Sequence, residues 1–78
     1  MADLKTTLTD IAKAIVDSPD EVVVTESETE NGITLVLSVA ADDMGMVIGK
    51  SGKIAKAIRT VMRAAASAEG KEVSVVIR

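Results

Sequence analysis

The chain has 78 residues, 47% of them apolar and 27% charged, with a formal net charge of −3 at pH 7. This length predicts one small domain over residues 1–78 with a single hydrophobic core. The chain contains no cysteine, histidine or aromatic residue, which excludes a disulfide framework, thiolate and imidazole metal ligands, most catalytic constellations and base stacking on aromatic rings.

The first half of the chain predicts a helix followed by a β-hairpin. Apolar residues recur every three or four positions from Leu4 to Val16, with Asp3 placed to cap the helix. Val22 to Thr25 is rich in β-branched residues, and apolar residues alternate with others from Ile33 to Val39. Asn31-Gly32 is a strong turn signal between the two segments, so we expect two antiparallel strands.

The second half predicts two helices and a last strand. Asp42 or Asp43 can cap a short helix from Met44 to Ile48, and helix capping is the simplest role for these carboxylates. A longer helix follows from about Lys53 to Ala68, and Glu72 to Ile77 has the composition of a strand. The predicted element order is therefore α-β-β-α-α-β.

The longer helix separates apolar from basic residues. One predicted face, expected to be buried, carries Ile54, Ile58, Val61, Met62 and Ala65. The solvent side carries Lys53, Lys56, Arg59 and Arg63. Residues 1–49 contain two basic and ten acidic residues, whereas residues 50–78 contain seven basic and two acidic ones. This basic stripe is either a solvated helix face or a surface for a polyanion.

A glycine-rich run, GMVIGKSGK, occupies residues 45–53. Read as a phosphate-binding P-loop, it is one residue short between Gly45 and the Gly-Lys-Ser segment. Read as Gly49-Lys50-Ser51-Gly52, it is a tight turn that a sugar-phosphate backbone can approach closely, because glycine has no Cβ. The alternative for the same four residues is a plain corner between two helices, with Gly49 ending one and Gly52 relieving strain before the next.

The segment from Val47 to Ile54, with Gly45 upstream, resembles the signature of a KH domain. In that family the GxxG loop clamps about four nucleotides of single-stranded nucleic acid. The resemblance covers essentially the whole chain, and the predicted element order is that of a type II KH domain. It implies an α+β fold in which three helices pack on one face of a three-stranded mixed sheet.

Three further runs, residues 18–20, 43–49 and 57–60, together with the small size and the lone KH domain, resemble the KhpA family of small bacterial RNA-binding proteins. This resemblance implies a cytoplasmic homodimer that binds single-stranded RNA and pairs with a larger KhpB-like protein. It implies a role as an RNA chaperone or post-transcriptional regulator in systems linked to cell shape, elongation and division. It implies neither enzymatic activity nor a cofactor or metal.

Carried over position by position, the resemblance implies an RNA-binding site made of Ile48, Gly49, Lys50, Ser51, Gly52, Lys53 and Lys56. Ile54 also resembles a groove residue of the family, although its place on the helix favours the core. The second strand, around Leu35 to Val39, is expected to form the far wall facing the bases. Without aromatic residues, base recognition rests on hydrogen bonds and aliphatic packing, so we expect weak sequence preference.

Other functions remain open on the sequence. The chain could be an assembly module with little intrinsic RNA binding, using Ala57, Val61 and Ala64 as a dimer interface, unless these residues belong to the core. The basic helix could read duplex DNA, although a glycine-bounded turn suits a single strand better. A nucleotide-hydrolysing enzyme is disfavoured by the loop spacing and by the short chain.

Overall fold

The computed structural model describes residues 3–30 and 32–78, and within these residues three α-helices pack on one face of a three-stranded mixed sheet. The elements in chain order are α1 (Leu4–Ile15), β1 (Val23–Thr29), β2 (Gly32–Ser38), α2 (Met44–Ile48), α3 (Lys53–Ala68) and β3 (Val73–Ile77). The predicted order and the type II KH architecture are confirmed.

Strands β1 and β2 form the predicted antiparallel pair, in a register that joins Val23 to Ser38 and Thr29 to Gly32. Asn31, half of the predicted turn signal, lies outside the described residues. The β-branched segment Val22 to Thr25 predicted a shorter strand than the one observed. Strand β1 continues through Glu26, Ser27 and Glu28. These polar residues have low strand propensity of their own, and their pairing with β2 holds them extended.

Strand β3 pairs in parallel with β2, from Ile33 opposite Val73 to Leu37 opposite Ile77. The strand order is β1-β2-β3, so β2 lies at the centre and β3 at an edge. Every second side chain of β2 is buried, as the alternation predicted, and α1 and α3 cover that face. The largest fully buried side chains of the core are Leu8, Leu35, Leu37, Val47 and Met62.

The ends of α1 and α3 follow their capping residues. Asp3 Oδ1 accepts a hydrogen bond of 2.7 Å from the Thr6 amide, and this bond holds the pKa of the Asp3 carboxyl below its ordinary value. At the end of α3, Gly70 adopts φ of +70° and its amide bonds the Ser67 carbonyl at 3.0 Å. The Lys71 amide returns to the Ala66 carbonyl at 2.8 Å, which completes a Schellman motif.

The buried face of α3 is rotated relative to the prediction. The residues it buries are Ala55, Ile58, Met62 and Ala66. Ile54 and Val61, both predicted to face the core, are 38% and 50% exposed, so the prediction is wrong for them. The buried face therefore includes the small Ala55 and Ala66, to which a hydrophobic pattern gives less weight than to Ile54 and Val61. The larger Ile54 and Val61 lie on the flank.

Candidate nucleic-acid interface

The corner between α2 and α3 is a tight turn built by two glycines and a serine. The Gly49 amide ends α2 with a 2.8 Å bond to the Gly45 carbonyl. Residues Lys50–Gly52 then form one 3₁₀ turn, closed by a 3.2 Å bond from the Gly52 amide to the Gly49 carbonyl. Ser51, with φ of 58° and ψ of 25°, and Gly52, with φ of +74°, are both left-handed.

The two glycines serve different purposes. Gly49 has φ of 74° and ψ of 174°, a backbone region that is essentially restricted to glycine. A Cβ on Gly49 would lie 2.9 Å from Ile54 Cβ and 3.0 Å from Ile54 N, closer than packed atoms tolerate. A Cβ on Gly52 would meet no atom within 4 Å. Packing therefore requires glycine at 49, whereas the space beside Gly52 is open to an approaching ligand.

The predicted RNA-contacting residues lie together around this turn. Lys50, Ser51, Lys53 and Lys56 are all exposed, as the prediction needs. Ile48 is 39% exposed and Met46 40% exposed, so the end of α2 presents an apolar shoulder. Gly52 carries no side chain, and no side-chain hydrogen bond caps the start of α3. An anion placed here would meet two kinds of attraction, lysine charge and the positive end of the helix dipole.

Arg59 departs from the solvated basic stripe that the sequence predicted. Its Nε donates a hydrogen bond of 3.3 Å to the Val75 carbonyl, and the side chain is half-buried. At the two ends of β3, the Glu72 carbonyl and the Arg78 amide bond to β2. Only every second residue of a parallel strand directs its backbone groups to a given neighbour, so those of Val75 point away from β2, to the free edge. Arg59 thus reaches from α3 across to the outer edge of β3, a contact that sequence periodicity could not reveal.

The predicted far wall of the site is wrong. The sequence placed the bases against the second strand, yet Leu35 and Leu37 are fully buried and β2 is the central strand of the sheet. The strand that borders α3 is β3, which exposes a free edge. Because only an edge strand offers unpaired backbone groups, β3 is the available wall of a groove beginning at the glycine turn.

The predicted capping role of Asp43 is also wrong. Residues Ala41–Asp43 form a 3₁₀ turn that runs directly into α2, and Asp43 makes no capping hydrogen bond with that helix. Its side chain is only 3% exposed, and Oδ2 accepts a bond of 2.9 Å from the Ser18 amide, 25 residues away. This hydrogen bond therefore links the segment after α1 to the start of α2. Asp42 is exposed.

This tether gives a stability prediction. Replacing Asp43 with alanine removes the acceptor of the part-buried Ser18 amide, so we expect Asp43→Ala to lower the free energy of unfolding by about 2 kcal/mol. Asp43→Asn keeps an acceptor oxygen and should lose less. Urea denaturation of the three proteins measures the difference. Equal midpoints for the parent and Asp43→Ala would show that the bond contributes nothing.

Other kinds of site receive no support in the described part of the chain. Among residues 3–30 and 32–78, no group of three or more histidine, cysteine or acidic side chains could hold a metal ion. None of the helices described is long and apolar enough to cross a membrane.

Comparison with known proteins identifies the family. Residues 5–77 match the family model of the KhpA/KhpB KH domain, which is not an enzyme family. The chain is 58% identical over 74 residues to the RNA-binding protein KhpA of Clostridium acetobutylicum, covering 95% of this chain and 99% of the relative. It is 51% identical over 63 residues to the protein of the same name from Listeria monocytogenes, and the match covers 81% of this chain and 83% of that relative.

Two crystal structures of the protein Era share the fold. One is Aquifex aeolicus Era bound to GDP and AlF4−, with a TM-score of 0.70, and the other is Era with MgGDPNP and nucleotides 1506–1542 of 16S ribosomal RNA, with a TM-score of 0.73. Each is 19% identical to this chain and matches 95% of it, but the chain spans only 29% and 28% of those longer proteins. The family model and the curated relatives, which agree over nearly the full length, show that this chain belongs to the KhpA/KhpB family of KH domains.

Proposed function

We propose that this protein is a cytoplasmic, non-enzymatic RNA-binding module that holds single-stranded RNA at Ile48, Gly49, Lys50, Ser51, Gly52, Lys53 and Lys56. The observation that carries the proposal is the glycine turn, where open space beside Gly52 adjoins exposed Lys50 and Ser51 at the uncapped start of α3. Two of its relatives are named RNA-binding proteins, which supports RNA as the ligand.

The turn suits a sugar-phosphate backbone. A phosphate beside Gly52 would approach the main chain without meeting a Cβ, with the Lys50 ammonium and the Ser51 hydroxyl on the same turn. Lys53 and Lys56, on the first turn of α3, would extend the positive potential along the strand. Ile48 offers an aliphatic surface for one base, which gives contact without strong sequence preference.

Weak binding of RNA with little sequence preference fits the role of an RNA chaperone or post-transcriptional regulator. A single loop that holds about four nucleotides binds each strand loosely and releases it readily. Two such loops in a homodimer, or one beside a KhpB-like partner, would raise the overall affinity through effective concentration.

The test uses fluorescence polarisation of a labelled single-stranded RNA at two salt concentrations. We expect Lys50→Asp/Ser51→Asp to weaken binding on the order of tenfold or more, because the turn changes from cationic to anionic. The affinity of the parent should fall as salt rises, since each phosphate contact releases counterions.

The matched control is Lys5→Asp/Thr6→Asp, which makes the same change of charge at exposed positions in the first turn of α1. Acidic residues at a helix start are favourable, so this variant should fold and bind as the parent does. Equal loss in both variants would mean that net charge, not the turn, governs affinity. Unchanged affinity in the loop variant would refute the proposed site.

A second function, assembly through α3, is favoured by one observation. Ala57, Val61 and Ala64 are all exposed, so the alternative that they belong to the core is wrong. Val61 is 50% exposed, and the three positions lie on one side of the helix, away from Arg59 and Arg63. An apolar strip of this kind is a candidate homodimer interface, and it leaves the glycine turn free.

We expect Val61→Lys to convert a dimer into monomers while leaving helix content unchanged, because a charge at the centre of the strip would be buried without a partner. Light scattering at micromolar concentration, with circular dichroism, measures both quantities. Val23→Lys is the matched control, since Val23 is a 57% exposed valine on the sheet. If Val23→Lys dissociates the dimer and Val61→Lys does not, the interface lies on the sheet instead.

A further inference from the structure

A cavity of about 610 Å³ lies at the far end of α3 from the glycine turn. It opens between the last turns of α3, the start of β3 and the end of the hairpin. Its cationic side chains are Arg63 and Lys71, and its hydroxyl side chains are Thr29, Thr34, Ser67 and Ser74. The Thr29 hydroxyl donates to the Gly32 carbonyl at 3.2 Å, which leaves three hydroxyl groups and two exposed cations around one concavity as a donor set suited to a phosphate group.

The cavity lies farther along the same flank of α3 as Arg59. Arg63 follows Arg59 by one helical turn, so both side chains lie on the flank of α3 that overlooks β3. Ser67 is one further turn along, and Lys71 completes the Schellman motif that leads the chain toward β3. From Gly52 to Ser67 the helix rises roughly 22 Å, so the cavity lies well away from the glycine turn.

We infer that the cavity lined by Arg63, Ser67 and Lys71 is a second phosphate site, which binds the same RNA strand several nucleotides away from the glycine turn. This inference rests on the proposed function and extends its footprint along the β3 side of α3. Lys71 supplies a point charge, and the Arg63 guanidinium can donate two parallel hydrogen bonds to one phosphate. The hydroxyls would complete the set without a requirement for any particular base.

One carboxylate opposes this arrangement. Glu72 also lines the cavity, and it lies in a neighbouring cavity whose lining includes Glu28 and Glu30. Its negative charge would repel a phosphate and limit the affinity of the site. This repulsion gives a second test, in which affinity should rise: Glu72→Gln should tighten the binding of a long strand.

The experiment measures how affinity depends on RNA length. Single-stranded RNAs of four nucleotides, and of ten nucleotides extended at either end, are titrated against the parent and Arg63→Gln/Lys71→Gln. We expect the parent to gain severalfold in affinity from extension at one end, and the variant to lose that gain while keeping its affinity for four nucleotides. The salt slope for the long strand should fall by about 0.7, for the one phosphate contact that the site adds on a single strand.

Two controls isolate the site. Lys5→Gln/Lys13→Gln removes the same charge from α1 and should keep the gain. Light scattering must show the same oligomeric state for the parent and the cavity variant, so that a second protomer does not account for the difference. A ten-nucleotide probe whose added residues are abasic should also keep the gain, because the site is assigned to phosphate rather than to bases.

The outcomes separate this inference from the proposed function. If the cavity variant keeps the full length-dependent gain, or if the abasic extension loses it, the second phosphate site is wrong and the glycine turn stands. If Lys50→Asp/Ser51→Asp leaves both short and long strands bound as in the parent, the proposed function fails, and the inference fails with it.

Discussion

Replacing Gly49 with alanine should destabilise the fold by about 3 kcal/mol, the largest effect expected of a single methyl group in this protein. The added Cβ would collide with the Ile54 side chain and approach the Ile54 amide to 3.0 Å. The backbone at φ of 74° and ψ of 174° would also be strained with any side chain. Relief requires α3 to shift, and α3 carries the buried Ile58 and Met62.

The variant Gly52→Ala separates the free-energy cost of backbone strain from that of steric overlap. Gly52 has the same φ of +74°, but its Cβ would enter open space. We expect a loss of about 1 kcal/mol there, since alanine tolerates the left-handed region at modest cost. Thermal denaturation followed by circular dichroism should show a difference between the two variants of roughly 10 °C. Equal melting temperatures would mean that the corner relaxes around Gly49 at little cost.

The second large effect is expected at Leu35, at the centre of the sheet. Leu35 is fully buried in β2, so Leu35→Ala should cost about 3 kcal/mol through lost burial and the cavity left behind. The same substitution should leave the RNA affinity of the folded protein unchanged, because the side chain faces the core. Urea denaturation and polarisation together test both statements.

Val36→Ala provides the comparison, since Val36 is the next residue of β2 and its side chain lies on the opposite, half-buried face of the sheet. Its loss should be well below that of Leu35→Ala. If Leu35→Ala instead weakens RNA binding while the protein stays as stable as the parent, the strand does form a wall facing the bases. Such a result would agree with the sequence-based expectation that the second strand forms the far wall of the RNA site.

Local signals predicted the elements well. The bounds of α3 agree with the prediction because Gly52 and Gly70 punctuate the chain on either side of one amphipathic segment. The alternation from Ile33 onward correctly identified the buried side of β2, since a strand with one covered face has period two. The predicted RNA-contacting residues cluster because all seven fall within nine consecutive positions, 48–56, so a short turn brings them together regardless of the remaining fold.

Non-local geometry could not be predicted in the same way. The sequence gives no account of which strand lies at the sheet edge, and the parallel pairing of β3 with β2 decides this. The buried face of α3 includes the small Ala55 and Ala66, whereas periodicity gives more weight to the larger Ile54 and Val61. Asp43 has the composition and position of a helix cap, yet its partner lies 25 residues earlier in the chain.

The parallel pairing of the last strand also sets the order in which this protein can fold during synthesis. The ribosome delivers α1 and the hairpin first, then α2 and α3, and Val73 and Val75 emerge only after these elements. Until they emerge, β2 has one unpaired edge and the core lacks two of its buried valines. A chain cut short after Ala68 would therefore expose an apolar strand edge to its neighbours, and the addition of β3 completes both the sheet and the core.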